Sequence, residues 1–213
     1  MPAREHILHK VRTALGRSAG QPPATAPPAR LKVPAVDRTE RTRLMLEHFP
    51  GKTALARSPD EARRYVAAQI NGLRAIASRD PLLDALGITS LPGVARAANN
   101  ALDVRRVCAE SDVGITTAEY AMADTGALVV LATAQESRLI SLLPLVHITV
   151  LRADRILTGL DELFTVMPDP GALSSSMILI GGPSRTADIE QILTLGVHGP
   201  REIHLVLLDE SEQ

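Results

Sequence analysis

The chain reads as a three-layer α/β domain, and three observations predict that class. Short, continuous apolar runs recur at Val113–Thr116, Ala127–Thr133, Val146–Leu151, Met177–Ile180 and Ile203–Leu208. Such runs are the mark of strands buried on both faces of a sheet. Helical patterns fall between them, at Thr158–Met167 and Arg185–Leu195. With 213 residues, 45% of them hydrophobic, the chain is long enough to bury one substantial core.

The elements follow in order. Residues 3–15 place Ile7, Leu8, Val11 and Leu15 on one helical face. That face docks on its own domain or on a second copy, or it serves as a partner-binding arm. Gln21–Pro34 carries Pro22, Pro23, Pro27, Pro28 and Pro34. Prolines at that density favour an extended spacer. Residues 1–36 are therefore an N-terminal helix and Pro-rich linker, and residues 37–213 the α/β domain. Asp37–Phe49 reads helical and Thr53–Ala56 as a short strand. Ser58-Pro59-Asp60-Glu61 combines a Ser cap, Pro at the first helical position and acids in the first turn, opening a helix to about Ile70. Leu73–Ala77 gives the next strand, and residues 80–110 hold one or two short helices.

Composition excludes several functions. Lys and Arg total 23, Asp and Glu 24, for a formal net charge of −1. That balance offers no broad attraction for nucleic acid or anionic lipid. Two Tyr, two Phe and no Trp give no base-stacking platform. The single Cys108 permits no intramolecular disulfide and no cysteine-held cluster, which fits a reducing, cytoplasmic compartment. No stretch reads as a secretory signal or as the ~20-residue apolar span that a bilayer requires, so membrane insertion is not expected.

Four segments concentrate polar residues and glycines. Gly114–Gly126 ends in Asp124-Thr125-Gly126, which turns the chain into the strand at Ala127 after a helical turn. Asp124 is an ordinary turn residue, or a carboxylate at a sheet edge able to handle a proton. Ser141-Leu-Leu-Pro144-Leu-Val-His147 places a histidine within a strand, as a hydrogen-bonded structural group or as an acid–base. Gly181-Gly182-Pro183 leads from a strand into Ser184-Arg185-Thr186-Ala187-Asp188. Read as a strand–loop–helix unit, it aims free N–H groups at a carboxylate or phosphate, with Arg185 as clamp. Ordinary capping by Ser184 accounts for the same pattern. The loop lacks the Lys-Ser/Thr pair of a P-loop and the Gly-x-Gly-x-x-Gly fingerprint. Gly196-Val-His198-Gly199-Pro200 exposes a histidine in a tight turn, for function or as a plain connection capped at Gly196. The histidines lack metal-ligand spacing, so no metal is expected. Ser184 follows a strand, whereas Asp124 and His198 precede strands. They share one edge only if the sheet is mixed or the loops reach across, so a mixed sheet is expected.

Taken together and in this order, these segments resemble the lactate utilization protein C family, the LUD domain group. The resemblance rests on Asp112-Val-Gly-Ile-Thr, Ala123-Asp-Thr-Gly126, Ser141–Ile148, Gly182–Glu190 and Gly196–Pro200. It implies a Rossmann-like layered fold similar to the sugar-phosphate isomerase, CoA-transferase and formyltetrahydrofolate cyclo-ligase (NagB/RpiA-like) group. It also implies a role in oxidising L-lactate to pyruvate beside two Cys-rich iron–sulphur partner proteins, which would carry the clusters this chain cannot. The positions carried over are Asp124, His147 and His198 as proton-handling residues. Thr125, Gly126, Ser184, Arg185, Thr186 and Asp188 are also carried over; binding roles for these and for Gly182, like the proton-handling roles, are inferred from residue type and not given by the resemblance. Two functions follow as expectations: an accessory subunit binding a small carboxylate or a cofactor that the sequence does not specify, or a free-standing enzyme acting on a phosphorylated or CoA-like anion.

Overall fold

The computed structural model describes residues 3–16, 18, 36–97, 101–133, 136–167, 169–187 and 193–210. The chain divides into two units, Met1–Leu31 and Lys32–Gln213. Among the described residues the first contains one helix, α1 (Ala3–Ala14). The second holds everything else. Its helices are α2 (Arg38–His48), α3 (Pro59–Gln69), α4 (Pro81–Ala85), α5 (Ala101–Glu110), α6 (Arg138–Leu142), α7 (Leu160–Val166) and α8 (Pro170–Leu173). Its strands are β1 (Lys52–Ala56), β2 (Ala75–Ala77), β3 (Val94–Arg96), β4 (Val113–Thr117), β5 (Tyr120–Met122), β6 (Ala127–Leu131), β7 (Val146–Arg152), β8 (Ile156–Leu157), β9 (Met177–Ile180), β10 (Arg185–Ala187), β11 (Leu193–Leu195) and β12 (Glu202–Leu208).

Six strands form the central sheet in the order β1-β12-β7-β4-β2-β3, and every pair in it is parallel. The expected mixing of directions lies elsewhere. A second, four-stranded sheet, β8-β5-β6-β9, combines one parallel and two antiparallel pairs. The smaller sheet takes part of the layer that the sequence assigns to helices.

Burial on both faces explains why β12 and β7 read as unbroken apolar runs. On one face, Val206 and Leu208 of β12, Ile148 and Val150 of β7 and Val113 and Ile115 of β4 pack against Ala62 and Val66 of α3 and Leu83 of α4. On the other, Leu205 and Leu207 of β12 and Leu151 of β7 meet Met45 of α2 and Ala121 and Leu128 of the smaller sheet. Further along that face, Ile76 of β2 packs with Val104 and Cys108 of α5 and Ile140 of α6. The outer face of the small sheet is covered by Leu163 of α7 and Met167, the residue that follows it. Each fully buried aliphatic side chain contributes roughly 1.5–3 kcal/mol through water release. Cys108 belongs to this core, where burial pushes its thiol up to about 11 and leaves it unreactive at neutral pH.

Local signals set the ends of several elements. The Ser58 side chain accepts from Glu61 N–H at the start of α3, and Pro59 occupies the first helical position. Asp37 caps α2 in the same way through Glu40 N–H.

Two sequence expectations need correction. The helical turn expected after Thr116 is strand β5, which pairs antiparallel with β6 through the turn at Ala123–Gly126. The helix expected over Arg185–Leu195 is absent from the described residues. Arg185–Ala187 and Leu193–Leu195 form an antiparallel hairpin, with Thr186 opposite Thr194. The backbone of Ser184 locks it: its N–H donates to Pro200 O at 2.8 Å, and its carbonyl accepts from Gly196 N–H at 3.0 Å. These backbone hydrogen bonds between distant positions hold the ladder in place of a helix, despite the Ser cap and early acids.

One glycine decides how the second face is built. A Cβ on Gly114, in the middle of the central sheet, would overlap the Ile140 carbonyl oxygen and crowd Pro144. Only glycine lets α6 lie directly on β4. That approach fixes both ends of the α6 crossover, with Glu136 before the helix and Ser141 on it.

Candidate functional site

At the amino ends of the central strands, α6, β9 and the two loops around β10–β11 enclose a cavity of about 270 Å³. Its walls include Ser141, Ile180, Gly182, Ser184, His198 and Ile203. Three of the four polar segments therefore meet at one place, and parallel strands do not prevent it. The hairpin folds back so that the Gly196–Pro200 loop lies beside Ser184.

Ser184 is the clasp of this arrangement. Besides its two backbone hydrogen bonds, its Oγ accepts from His198 N–H at 3.0 Å. His198 itself is exposed and borders the cavity. Ser141 is buried, with its hydroxyl donating to Arg138 O at 3.0 Å. The remaining wall is apolar, supplied by Ile180, Ile203 and their neighbours.

The other expected residues lie as follows. Arg185 and Thr186 fall on β10, directly after the cavity residue Ser184. Asp188 lies outside the described residues. The helix whose N-terminus was expected to hold an anion does not form over the described residues, so that source of anion affinity is removed. Asp124 and Thr125 are exposed in the β5–β6 turn, and Asp124 N–H donates to Thr158 O at 3.1 Å. The Asp124 carboxylate lies against Gly159 at the start of α7, away from the cavity walls. Gly126 and Gly182 both lie against the His48–Pro50 segment, so the first and third segments touch a common support without joining in one site.

His147 is structural in its geometry. It is fully buried in β7, in register with Gly114 and Ile203, and its Nε2 lies 2.8 Å from Thr116 Oγ1 and 3.0 Å from Thr149 Oγ1. Burial lowers its pKa to about 3, with the neighbouring His204 adding to the effect. It is neutral at physiological pH and does not shuttle protons there. This makes a stability prediction. The folded pKa lies below the ordinary 6.5, so the neutral ring favours the folded state fully above pH 6.5. That contribution falls by about 1.4 kcal/mol per pH unit below it. Urea unfolding at pH 7.5, 6 and 5 should show wild type losing stability relative to His147→Gln as the pH drops. A constant difference between the two would contradict a neutral buried imidazole.

Sequence reading missed one group of residues altogether. Glu136 is 6% exposed, and among the described residues neither of its carboxyl oxygens has a hydrogen-bond partner. The Ser78 hydroxyl, just past β2, is buried and unpartnered as well. Burial raises the Glu136 pKa to about 8, against the smaller lowering effects of Ser78 and the Thr117 backbone, with Asp80 adding repulsion. A lone acid directly after an apolar strand and before a Ser-capped helix was the available signal. Its meaning depends on strand order, which the sequence does not display.

Among the described residues, no group of three or more His, Cys, Asp or Glu is placed to hold a metal, and no helix is long and apolar enough to cross a membrane. The LUD domain model matches residues 40–208. The chain belongs to the LUD domain family. Lactate utilization protein C of Exiguobacterium sp. is 31% identical over 156 residues, covering 71% of this chain and 68% of that protein. The protein YkgG of Escherichia coli K12 is 34% identical over 105 residues, covering 47% of this chain and 46% of that protein. The chain thus spans about half the length of the first curated relatives it matches. A crystal structure of a DUF162 family protein from Deinococcus radiodurans superposes with a TM-score of 0.61 at 18% identity, covering 81% of this chain and 99% of that one. That likeness shows the fold: mixed α/β, with a mostly parallel central sheet.

Proposed function

We propose that this LUD domain protein is a subunit of a lactate utilization system and binds a small carboxylate in the cavity between α6, β9 and the Gly196–Pro200 loop. One observation carries the reading: Ser141, Gly182, Ser184 and His198, drawn from three separate segments, line a single cavity. The relatives named lactate utilization protein C supply the substrate class. Because Ser184 Oγ accepts from His198 N–H, its own O–H is directed to a further acceptor such as a carboxylate oxygen. The His198 imidazole supplies a proton donor or acceptor at the open side, and Ile180 and Ile203 suit a methyl group.

In this reading two Cys-rich iron–sulphur proteins carry the electrons as L-lactate is oxidised to pyruvate, and this chain holds and positions the acid. The single buried Cys108 supports that division of labour and a cytoplasmic setting. Kinship with the sugar-phosphate isomerase and CoA-transferase group, and residues 1–36 acting as an arm distinct from the α/β domain, belong to the same proposal. The phosphorylated or CoA-like alternative leaned on a helix N-terminus after Gly182. The carboxylate reading used the same helix N-terminus, so the hairpin there weakens both alike; the relatives named lactate utilization protein C favour the carboxylate.

Lactate-dependent dye reduction by the three reconstituted proteins tests it. Activity should require this chain and fall about tenfold or more with Ser184→Ala combined with His198→Ala, the scale expected for a lost pair of ligand hydrogen bonds. Equal lactate oxidation by the two iron–sulphur proteins without this chain would overturn the proposal.

A further inference from the structure

The carboxyl ends of the central strands carry a second cluster, unconnected with the motif residues. The chain leaves β2 into α4 on one face of the sheet and leaves β4 into the small sheet on the other. The strands β2 and β4 are neighbours, so their diverging exits open a crevice at this point. In parallel α/β sheets that topological switch point is where ligands bind.

What stands there is not explained by the fold. Ser78 ends β2 and Thr117 ends β4, and the Glu136 carboxyl, delivered by the chain returning from β6 to α6, faces both of them and Asp80. Three buried polar atoms, Ser78 Oγ and both Glu136 carboxyl oxygens, have no hydrogen-bond partner among the described residues. Buried polar atoms are almost always paired, and a carboxyl beside a hydroxyl with no such pairing among the described residues points to a bound partner. An open crevice of about 160 Å³ meets this cluster at Asp80 and Thr117, with Leu82, Ala118, Arg152 and Arg155 among its other walls, and has room for about five water molecules.

We infer that this switch point is a second ligand site, at which the Glu136 carboxyl and Ser78 hydroxyl take up a small neutral hydroxylated molecule. The charges favour a neutral ligand over an anion. Arg152 is engaged by Asp154 and Arg155 by Glu119, which leaves Asp80 on the wall to repel negative charge. A ligand hydroxyl both donates and accepts, which matches a carboxyl and an alcohol side by side. With its pKa raised to about 8, Glu136 holds its proton near neutrality and is ready to donate. The site lies at the opposite end of the strands from the His198 cavity, with α6 running between them, and it stands independently of the carboxylate proposal.

NMR titration of the ¹⁵N-labelled full chain tests this, with glycerol, 1,2-propanediol and glyceraldehyde as neutral probes and L-lactate as the charged counterpart. At least one neutral probe should produce saturable shifts at the Ser78, Thr117 and Glu136 amides. Its affinity should fall about tenfold in both Ser78→Ala and Glu136→Gln, and stay unchanged in His198→Ala. Using two variants guards against a single substitution that perturbs folding. The inference is overturned if no neutral probe shifts these amides in wild type, if the shifts survive both substitutions, or if L-lactate alone produces them.

Discussion

Glu136→Gln should make the protein more stable at pH 8, and the gain should vanish towards pH 4.5. The carboxyl is buried without a partner among the described residues, and its pKa rises from the ordinary 4.5 to about 8 in the fold. Below pH 4.5 the group is protonated in both the folded and unfolded states and contributes no pH dependence. Between 4.5 and 8 the unfolded chain ionises freely while the folded chain keeps its proton, so wild type loses about 1.4 kcal/mol per unit as pH rises. Above 8 the penalty levels off at a few kcal/mol. Glutamine keeps the shape and removes the titration, so the difference between the variant and wild type should grow over that window. Chemical denaturation at pH 4.5, 6, 7 and 8 reads it directly. Parallel stability profiles would mean that the carboxyl is solvated or paired after all. His147 acts in the opposite sense below pH 6.5, so the wild-type profile alone is flattened between pH 4.5 and 6.5. It is the variant-minus-wild-type difference that isolates each group.

Gly114→Ala should destabilise the protein by about 3 kcal/mol, at the upper end of the range for overpacked cores. The added methyl group would run into the Ile140 carbonyl oxygen and Pro144, a collision with backbone that no rotamer change relieves. To accommodate it, α6 must lift from β4. The helix carries Ser141 to one cavity and follows directly from Glu136 at the switch point, so both sites should be disturbed together. Thermal unfolding measures the loss of stability, and amide shifts at Ser141 and Glu136 report the displacement. An alanine variant with wild-type stability would show that α6 does not press on the sheet as described.

Much of the fold was legible from residues alone. The Ser58-Pro59 start of α3 was readable because capping is a local event that neighbouring residues decide. Strands β4, β6, β7 and β12 were readable because burial on both faces demands unbroken apolar sequence, and β9, which is only partly buried, carries an apolar run as well. The short strands β3, β5 and β8 were not, since two or three residues show no period. Residues 185–195 misled for a physical reason. Ser184 followed by acids is the chemistry of a helix start, yet hydrogen bonds from Ser184 to Pro200 and from Gly196 to Ser184, contacts between distant positions, select the hairpin. Similarly, Ser184 and His198 were recognisable as loop residues, but their meeting depends on that hairpin. Asp124 was equally conspicuous in sequence and lies in the turn of the second sheet, a layer that the apolar pattern does not announce. Glu136 passed unnoticed because its significance comes from β2 and β4 being neighbours, a fact of strand order and not of spacing.

Isothermal titration of the isolated chain with L-lactate and pyruvate tests the central claim most directly. The account predicts single-site binding of at least one of the two acids, weakened about tenfold by Ser184→Ala and by His198→Ala. Absence of binding by wild type, or binding that both variants retain in full, would contradict a carboxylate site in the Ser184–His198 cavity.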